Sequence, residues 1–287
     1  MISISGLLAD IIEYMQKSIA IITVVYNNYS DLDQYISSFT KQTETNFQIY
    51  IVDVSTKPQK YTYPSFVSLH YAENKGYAHG LQVGLHKALK DGYERFVFMN
   101  NDTTVDHTFV KNVSLSLAEN PCSLIGGKIY YSSGYEYHKN RYSQKDLGHV
   151  LWYAGGIMDW DNAWAIHRGV DEVDTHIYDT VEKTEFVTGC LMVFDKKLIE
   201  KAGEMDTSYF MYYEDADWCQ QVLKAGCLCI YDPRIVIWHK NAQSTGGSGS
   251  SFHQKHQKKN RLKFGLRYAP LRTKMHLLKN YFFSFFA

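Results

Sequence analysis

The chain has 287 residues, 45% of them hydrophobic and 21% charged, with Lys+Arg and Asp+Glu both at 30. That length and apolar share suit one large α/β domain with an extension, and a formal charge of zero leaves no footprint for nucleic acid. Five cysteines, Cys122, Cys190, Cys219, Cys227 and Cys229, form an odd set with no CxxC pair. This excludes a disulfide framework and a structural zinc site and favours a reduced, cytosolic setting.

Residues 1–18 read as an N-terminal amphipathic helix, with Ile4, Leu7, Leu8, Ile11 and Ile12 at helical spacing. Asp10 and Glu13 interrupt the apolar run, so it does not read as a secretory signal, and no stretch of ~20 apolar residues suits a membrane span. Residues 19–26 (IAIITVVY) are a continuous β-branched run, the pattern of a strand buried on both faces of a parallel sheet. A turn at Asn27–Ser30 and a helix over 31–40 follow. Further buried strands are expected at 47–54 and 95–99, a short one at 67–71, and a helix over 76–91. Strands alternating with helices define an α/β, doubly wound, mostly parallel sheet flanked by helices. Such sheets bind ligands at the carboxyl ends of their strands. Here those ends carry Asn27, Asp53 and Asn100-Asn101-Asp102.

Residues 128–185 are irregular and rich in Tyr, Trp, His and Asp, as expected of an insertion over the acceptor side. A strand over 186–194, helices from Lys196 and within 209–225, and a last strand over 229–238 complete the pattern. The chain then divides into a domain over 19–245, with a first half at 19–127 and a second half at 128–245. Residues 246–287 form a flexible GGSGSS loop and a basic, aromatic extension.

Four constellations carry chemistry, each with a plainer alternative. Asp102, directly after a strand, can hold Mg²⁺ or Mn²⁺, which take oxygen ligands and share them with substrate phosphates; it can equally close an Asx turn. Glu214-Asp215-Ala216-Asp217 opens a helix. One of its carboxylates can serve as a general base, or all can simply complement the helix dipole. His239 ends the last strand as a metal ligand or a structural side chain. Gly76, Gly80 and Gly84 lie four apart on one helix face, allowing close packing on the sheet or close approach to a ligand. No GxGxxG follows the first strand and no GxxxxGK[ST] occurs.

In order, IAIITVVYNNYSDL, IYIVDVS, ENKGYAHGLQVGL, FVFMNNDTTVD, WYAGGIMDWD, FVTGCLMVFDKKLIEKAGEMD, YFMYYEDADWCQQVLKAG and DPRIVIWH followed by NRLKF resemble the family 2 inverting glycosyltransferases of GT-A fold. The likeness, over about residues 19–268, is to their rhamnosyltransferase-like branch. The resemblance implies a metal-dependent, non-processive transfer of one sugar from a nucleotide diphosphate-sugar to a glycan or lipid-linked glycan acceptor of a cell-surface polysaccharide, such as a capsule or O-antigen. It puts dTDP-rhamnose first among donors, UDP-galactose or UDP-glucose next. It implies Mn²⁺ or Mg²⁺ held by Asp102 and His239. Asp215 would be the general base, with Glu214 and Asp217 orienting it or touching the acceptor. Thr23, Tyr26, Asp53, Asn74, Gly76, Gly80, Asn100, Asn101, Gly189 and Cys190 would line the nucleotide-sugar site. Val54, Leu81 and Gln82 stand where the family more often has polar residues, and the QxxRW signature of processive synthases is absent. A non-catalytic sugar- or nucleotide-binding module of the same fold and a sugar-phosphate nucleotidyltransferase are the alternatives; the Gly-rich basic loop of the latter is replaced by YNNYSD. The extension resembles a peripheral membrane anchor on the inner face of the cell membrane. Packing on the domain, or on a second copy in a homo-oligomer, is the alternative for the same segment.

Overall fold

The computed structural model describes residues 18–59, 62–138, 140–240 and 251–283. The helix expected over the first residues and all but Ser251 of the Gly/Ser loop lie outside them. The first half is β1 (Ile19–Val25), α1 (Leu32–Phe39), β2 (Phe47–Asp53), β3 (Val67–Tyr71), α2 (Tyr77–Lys90), β4 (Arg95–Met99), β5 (Thr103–Val105) and α3 (Phe109–Glu119). The second is β6 (Ser123–Tyr131), β7 (Leu151–Tyr153), β8 (Gly156–Asp159), β9 (Trp164–His167), β10 (Glu182–Lys183), β11 (Leu191–Asp195), α4 (Lys196–Ala202), α5 (Glu214–Lys224) and β12 (Leu228–His239). Two helices close the chain, α6 (Ser251–Tyr268) and α7 (Leu271–Phe283).

The main sheet runs β10-β12-β6-β11-β4-β1-β2-β3, with β5 added to β12 and β7 to β6. β1 pairs in parallel with β2 and β4, β2 with β3, and β6 with β12. β11 is antiparallel to both β4 and β6. The six strands β3, β2, β1, β4, β6 and β12 therefore share one direction, and one edge of the sheet collects all their carboxyl ends. β1 is buried on both faces, as its sequence requires. A fully buried aliphatic side chain contributes roughly 1.5–3 kcal/mol relative to an exposed one, so this strand anchors the core.

The glycines of α2 set how close that helix lies. A Cβ on Gly80 would stand 2.8 Å from Val24 Cγ2, and one on Gly84 2.5 Å from Ile22 Cγ2. Leu81 is buried beside them, and Gln82 donates to the Met205 carbonyl at 2.8 Å.

Two elements depart from expectation. β6 crosses the main sheet at the point where the insertion was expected to begin, because Gly126-Gly127 masks a strand. A Cβ on Gly127 would be 2.3 Å from the Ile235 carbonyl oxygen. The strand expected over 186–194 begins only at Leu191, because Thr188-Gly189-Cys190 turns into the sheet edge.

Candidate active site

The register of the last strand builds the centre of the site. β5 doubles back along β12, pairing Thr103 with His239, so Asp102 arrives beside the final residue of β12. His239 Nε2 lies 3.3 Å from Asp102 Oδ1, both side chains nearly fully buried. Lys240 continues the contact by donating its backbone N–H to the Asp102 carbonyl at 2.9 Å. Burial alone would raise the Asp102 carboxyl, but the facing His239 holds it below its ordinary range. Burial likewise opposes a charge on His239, and Cys190 and Asp102 together carry it well above the usual imidazole value. Asp102 Oδ1 and His239 Nδ1 are buried without a hydrogen-bond partner. An unsatisfied carboxylate oxygen beside an imidazole is a donor set suited to Mn²⁺- or Mg²⁺-like ions.

The chain of contacts continues to the acid pair. Cys190, against His239, accepts from the Asn100 N–H through its carbonyl at 3.1 Å. Next to it, Gly189 donates its N–H to Asp215 Oδ2 at 2.9 Å. A Cβ on Gly189 would lie 3.4 Å from Asp215 Oδ2, so any larger residue there crowds the carboxylate. Ala216 N–H donates to Asp215 Oδ1 at 2.8 Å. Burial raises the Asp215 carboxyl, partly offset by the Gly189 N–H. Glu214 is buried, its Oε2 has no partner, and burial followed by the Asp215 charge pushes it up to about 8. Two carboxyls whose environments raise both values share protons rather than ionise together.

Tyr77 sits between these groups and was not singled out from the sequence. Its hydroxyl donates to Asn100 Oδ1 at 2.8 Å and to the Gly189 carbonyl at 3.2 Å. Burial first, then Cys190, Glu214, Asp102 and Asp215, raise its pKa well above the ordinary phenol, which places it in the middle of the site. Its signal in the sequence was position alone: it is the first residue of α2 after the Gly76 turn.

At the carboxyl ends of β1 and β2, Tyr26 directly follows β1 and is half exposed. Asp53 is enclosed, accepting from Tyr29 Oη at 2.7 Å and from the Ser55 N–H at 2.9 Å. It ties together the loops after β1 and β2. Asn101 donates to the Asn28 carbonyl at 3.2 Å. Asn74 Oδ1 accepts from the Gly76 N–H at 3.2 Å, closing the turn into α2. Gly76 has φ +104°, and a Cβ there would meet the Phe210 carbonyl oxygen at 2.3 Å.

Three expected residues stand elsewhere. Thr23 is fully buried and turned towards Tyr35 of α1, because its neighbours Ile22 and Val24 occupy the α2 face of the strand. Gly80 packs on Val24 under α2 and is closed to a ligand. Asp217, two residues beyond Asp215 on α5, points to the opposite side. It accepts from Tyr209 Oη at 2.8 Å, Gln221 Nε2 at 2.6 Å, Arg267 Nη1 at 2.7 Å and Tyr268 Oη at 3.2 Å. It therefore ties α5 to α6 and neither orients Asp215 nor faces the crevice.

Among the described residues, one further cluster brings metal-type ligand atoms together: Asp174, His176 and Asp179. The Lys128 ammonium is bonded to both of its aspartates, so that acidic charge already has its cation.

The carboxyl edge of this mostly parallel α/β sheet gathers Asp53, Asp102, Asp215 and His239. Residues 20–202 match glycosyl transferase family 2, and the chain belongs to that family, in its GT-A-fold, rhamnosyltransferase-like branch. A dTDP-rhamnosyl transferase, RfbF, of Shigella flexneri is 24% identical over 231 residues, covering 78% of this chain and 70% of its own. An N-acetylglucosaminyl-diphospho-decaprenol L-rhamnosyltransferase of Mycobacterium tuberculosis is 33% identical over 73 residues, 25% of this chain and 24% of that one. The solved structure of GalNAc-T7 with UDP, GalNAc and Mn²⁺ superposes with a TM-score of 0.60 at 12% identity. It covers 84% of this chain, which spans about half (48%) of that one.

Proposed function

We propose that the chain transfers one sugar, with inversion, from a nucleotide diphosphate-sugar to an acceptor hydroxyl of a lipid-linked cell-surface glycan, with dTDP-rhamnose the first donor to test. The observation that carries this reading is the continuous path from the Asp102–His239 pair through Cys190 and Gly189 to Asp215. It sets a diphosphate-side donor pair and a basic carboxylate on one crevice. The two rhamnosyl-transferring relatives support the choice of donor, with UDP-galactose and UDP-glucose next.

In this reading Asp102 and His239 hold a divalent cation, Mn²⁺ or Mg²⁺, through the oxygen and nitrogen that face each other. The cation supplies Lewis-acid stabilisation of the departing diphosphate. Asp215 takes the acceptor hydroxyl proton as that oxygen attacks the anomeric carbon, while Gly189 N–H and Ala216 N–H fix the carboxylate's orientation. Glu214, protonated beside it, keeps a second negative charge away from Asp215. Tyr77 bridges the two ends by holding Asn100 and Gly189. Asp53, Tyr26, Asn74, Gly76 and Asn101 shape the nucleotide side. The division into 19–127 and 128–245 halves falls inside β6, and the second half supplies His239 to the pair with Asp102.

The extension serves two faces. Phe264 is buried against Trp160 and Tyr213, so α6 packs on the domain. The outer face of α7 carries Leu271, Met275 and Phe282, 75%, 62% and 63% exposed, at spacings that share one helix stripe. Residues 251–287 contain Lys and Arg but no Asp or Glu. An apolar stripe in an acid-free basic segment fits the inner, anionic face of a membrane.

Thermal denaturation with UDP, dTDP and GDP, each with and without Mn²⁺, tests the reading. A ligand bound only to the native state stabilises it by RT ln(1 + [L]/Kd). The expected result is one diphosphate giving a metal-dependent rise. No rise with any of the three would defeat the nucleotide-sugar assignment.

A further inference from the structure

The segment that delivers Glu214 and Asp215 has a backbone that does not hold itself. Tyr212 and Tyr213 have φ of 70° and 73°. Left-handed conformations are strained for non-glycine residues and persist only where surrounding structure holds them. Two in succession immediately before α5 make the position of Asp215 dependent on that support.

Much of the support comes from the extension. Asn260 of α6, 3% exposed, donates its side-chain amide to the Met211 carbonyl at 2.8 Å and to the Tyr212 carbonyl at 2.9 Å. Both protons of one amide thus hold the two carbonyls that enter the turn. One helical turn further along α6, the Phe264 ring packs against the Tyr213 ring with centroids 5.4 Å apart. Arg267, another turn on, reaches Asp217 on the far side of the acid pair. α6 therefore grips the chain both before and after Glu214-Asp215. No ligand-facing contact of Asn260 is involved; it acts through backbone.

We propose that Asn260 is a positioning residue for the general base: its amide sets the left-handed turn that aims Asp215 past Gly189 into the crevice. This rests on Asp215 being the base. The Gly189 and Ala216 N–H groups fix the carboxylate only while the turn stays in place. Loss of the amide releases the Met211 and Tyr212 carbonyls, and α5 shifts relative to the Gly189 turn. The metal pair, built on β5 and β12, is untouched, so nucleotide binding is not affected.

The test compares Asn260→Asp, the same shape without the donor, and Asn260→Ala with the full-length wild-type chain. Thr273→Ala is the control; it removes a 2.9 Å bond from α7 to the Trp160 carbonyl and leaves the turn alone. Turnover of the nucleotide-sugar selected by the thermal screen is read together with amide hydrogen exchange over 211–217. Expected for Asn260→Asp is a fall in kcat of about 10²-fold, the scale of an ångström's misplacement. Donor KM and the diphosphate-induced thermal rise stay at wild-type values, and exchange over 211–217 quickens. Thr273→Ala is expected to lower Tm with kcat retained. A wild-type kcat in Asn260→Asp, or an equal kcat loss in Thr273→Ala at matched Tm, overturns the proposal. A wild-type chain that turns over no nucleotide-sugar defeats the assignment of the base instead. Exchange then decides the latch alone, with unchanged rates over 211–217 in Asn260→Asp rejecting it.

Discussion

Asp102–His239 and Glu214–Asp215 lie along one path of contacts and are built on opposite electrostatic principles. The first pair joins unlike charges where the turn before β5 meets the end of β12, so each group stabilises the other's ionised form. The second joins like charges at the start of a helix, where burial and mutual repulsion favour a bound proton. A pair of unlike charges suits a site that exchanges a proton for a cation, because a ligating imidazole must be neutral. A pair of like charges suits proton transfer, because a small change nearby shifts which group carries the proton. In the proposed reading the contrast separates binding from chemistry along the path through Cys190 and Gly189.

The largest expected effect breaks the second pair. Asp215→Asn should lower kcat by roughly 10²–10⁴, the usual worth of a positioned base, while the diphosphate still raises Tm. Full activity in that variant would remove Asp215 from the chemistry. Asp102→Asn should instead abolish the metal-dependent part of the thermal rise, and kcat with it. Retention of that part would show that the cation is held elsewhere.

A smaller effect sharpens the contrast through pH. Glu214 keeps its proton in the folded chain up to about 8 against 4.5 for the free group. The native state therefore binds more protons than the unfolded one across that window, and its stability falls as pH rises through it. Glu214→Gln cannot ionise. Its Tm should exceed the wild-type value at about pH 9, and the gap should close near pH 4.5. A gap that does not depend on pH would mean that Glu214 is ionised in the fold. The smallest effect lies outside the crevice. Changing Leu271, Met275 and Phe282 together to Ser should abolish co-flotation with anionic vesicles and leave turnover of a soluble acceptor unchanged. Flotation equal to wild type would reject the α7 stripe as the membrane face.

The two pairs also differed in how readable they were. β1, β2 and β4 announce themselves as unbroken apolar runs, and the strand-end position of Asp102 follows directly from β4. His239 could be placed at a strand end, but its contact with Asp102 depends on β5 turning back along β12, which no local pattern encodes. Motif spacing named Thr23, Gly80 and Asp217 as site residues without knowing which face each occupies. The α2 glycines turn Thr23 to the other side of β1, and Arg267 draws Asp217 away from the crevice. Tyr77 and Asn260 lacked any motif; their roles arise from contacts between segments distant in the chain. The family match itself ends at residue 202, before the acid pair and the last strand.

The pairing of β5 with β12 also orders events during synthesis. Asp102 emerges early and His239 only with the final strand of the sheet, and closing so long a loop is slow and unfavourable until the intervening strands are in place. A growing chain that has made β4 but not β12 carries half of the donor pair and none of its partner. If the pair holds a cation as proposed, that capacity would appear only as the sheet is completed. Cation affinity, measured on full-length and shortened chains, would then report whether β12 has joined the sheet.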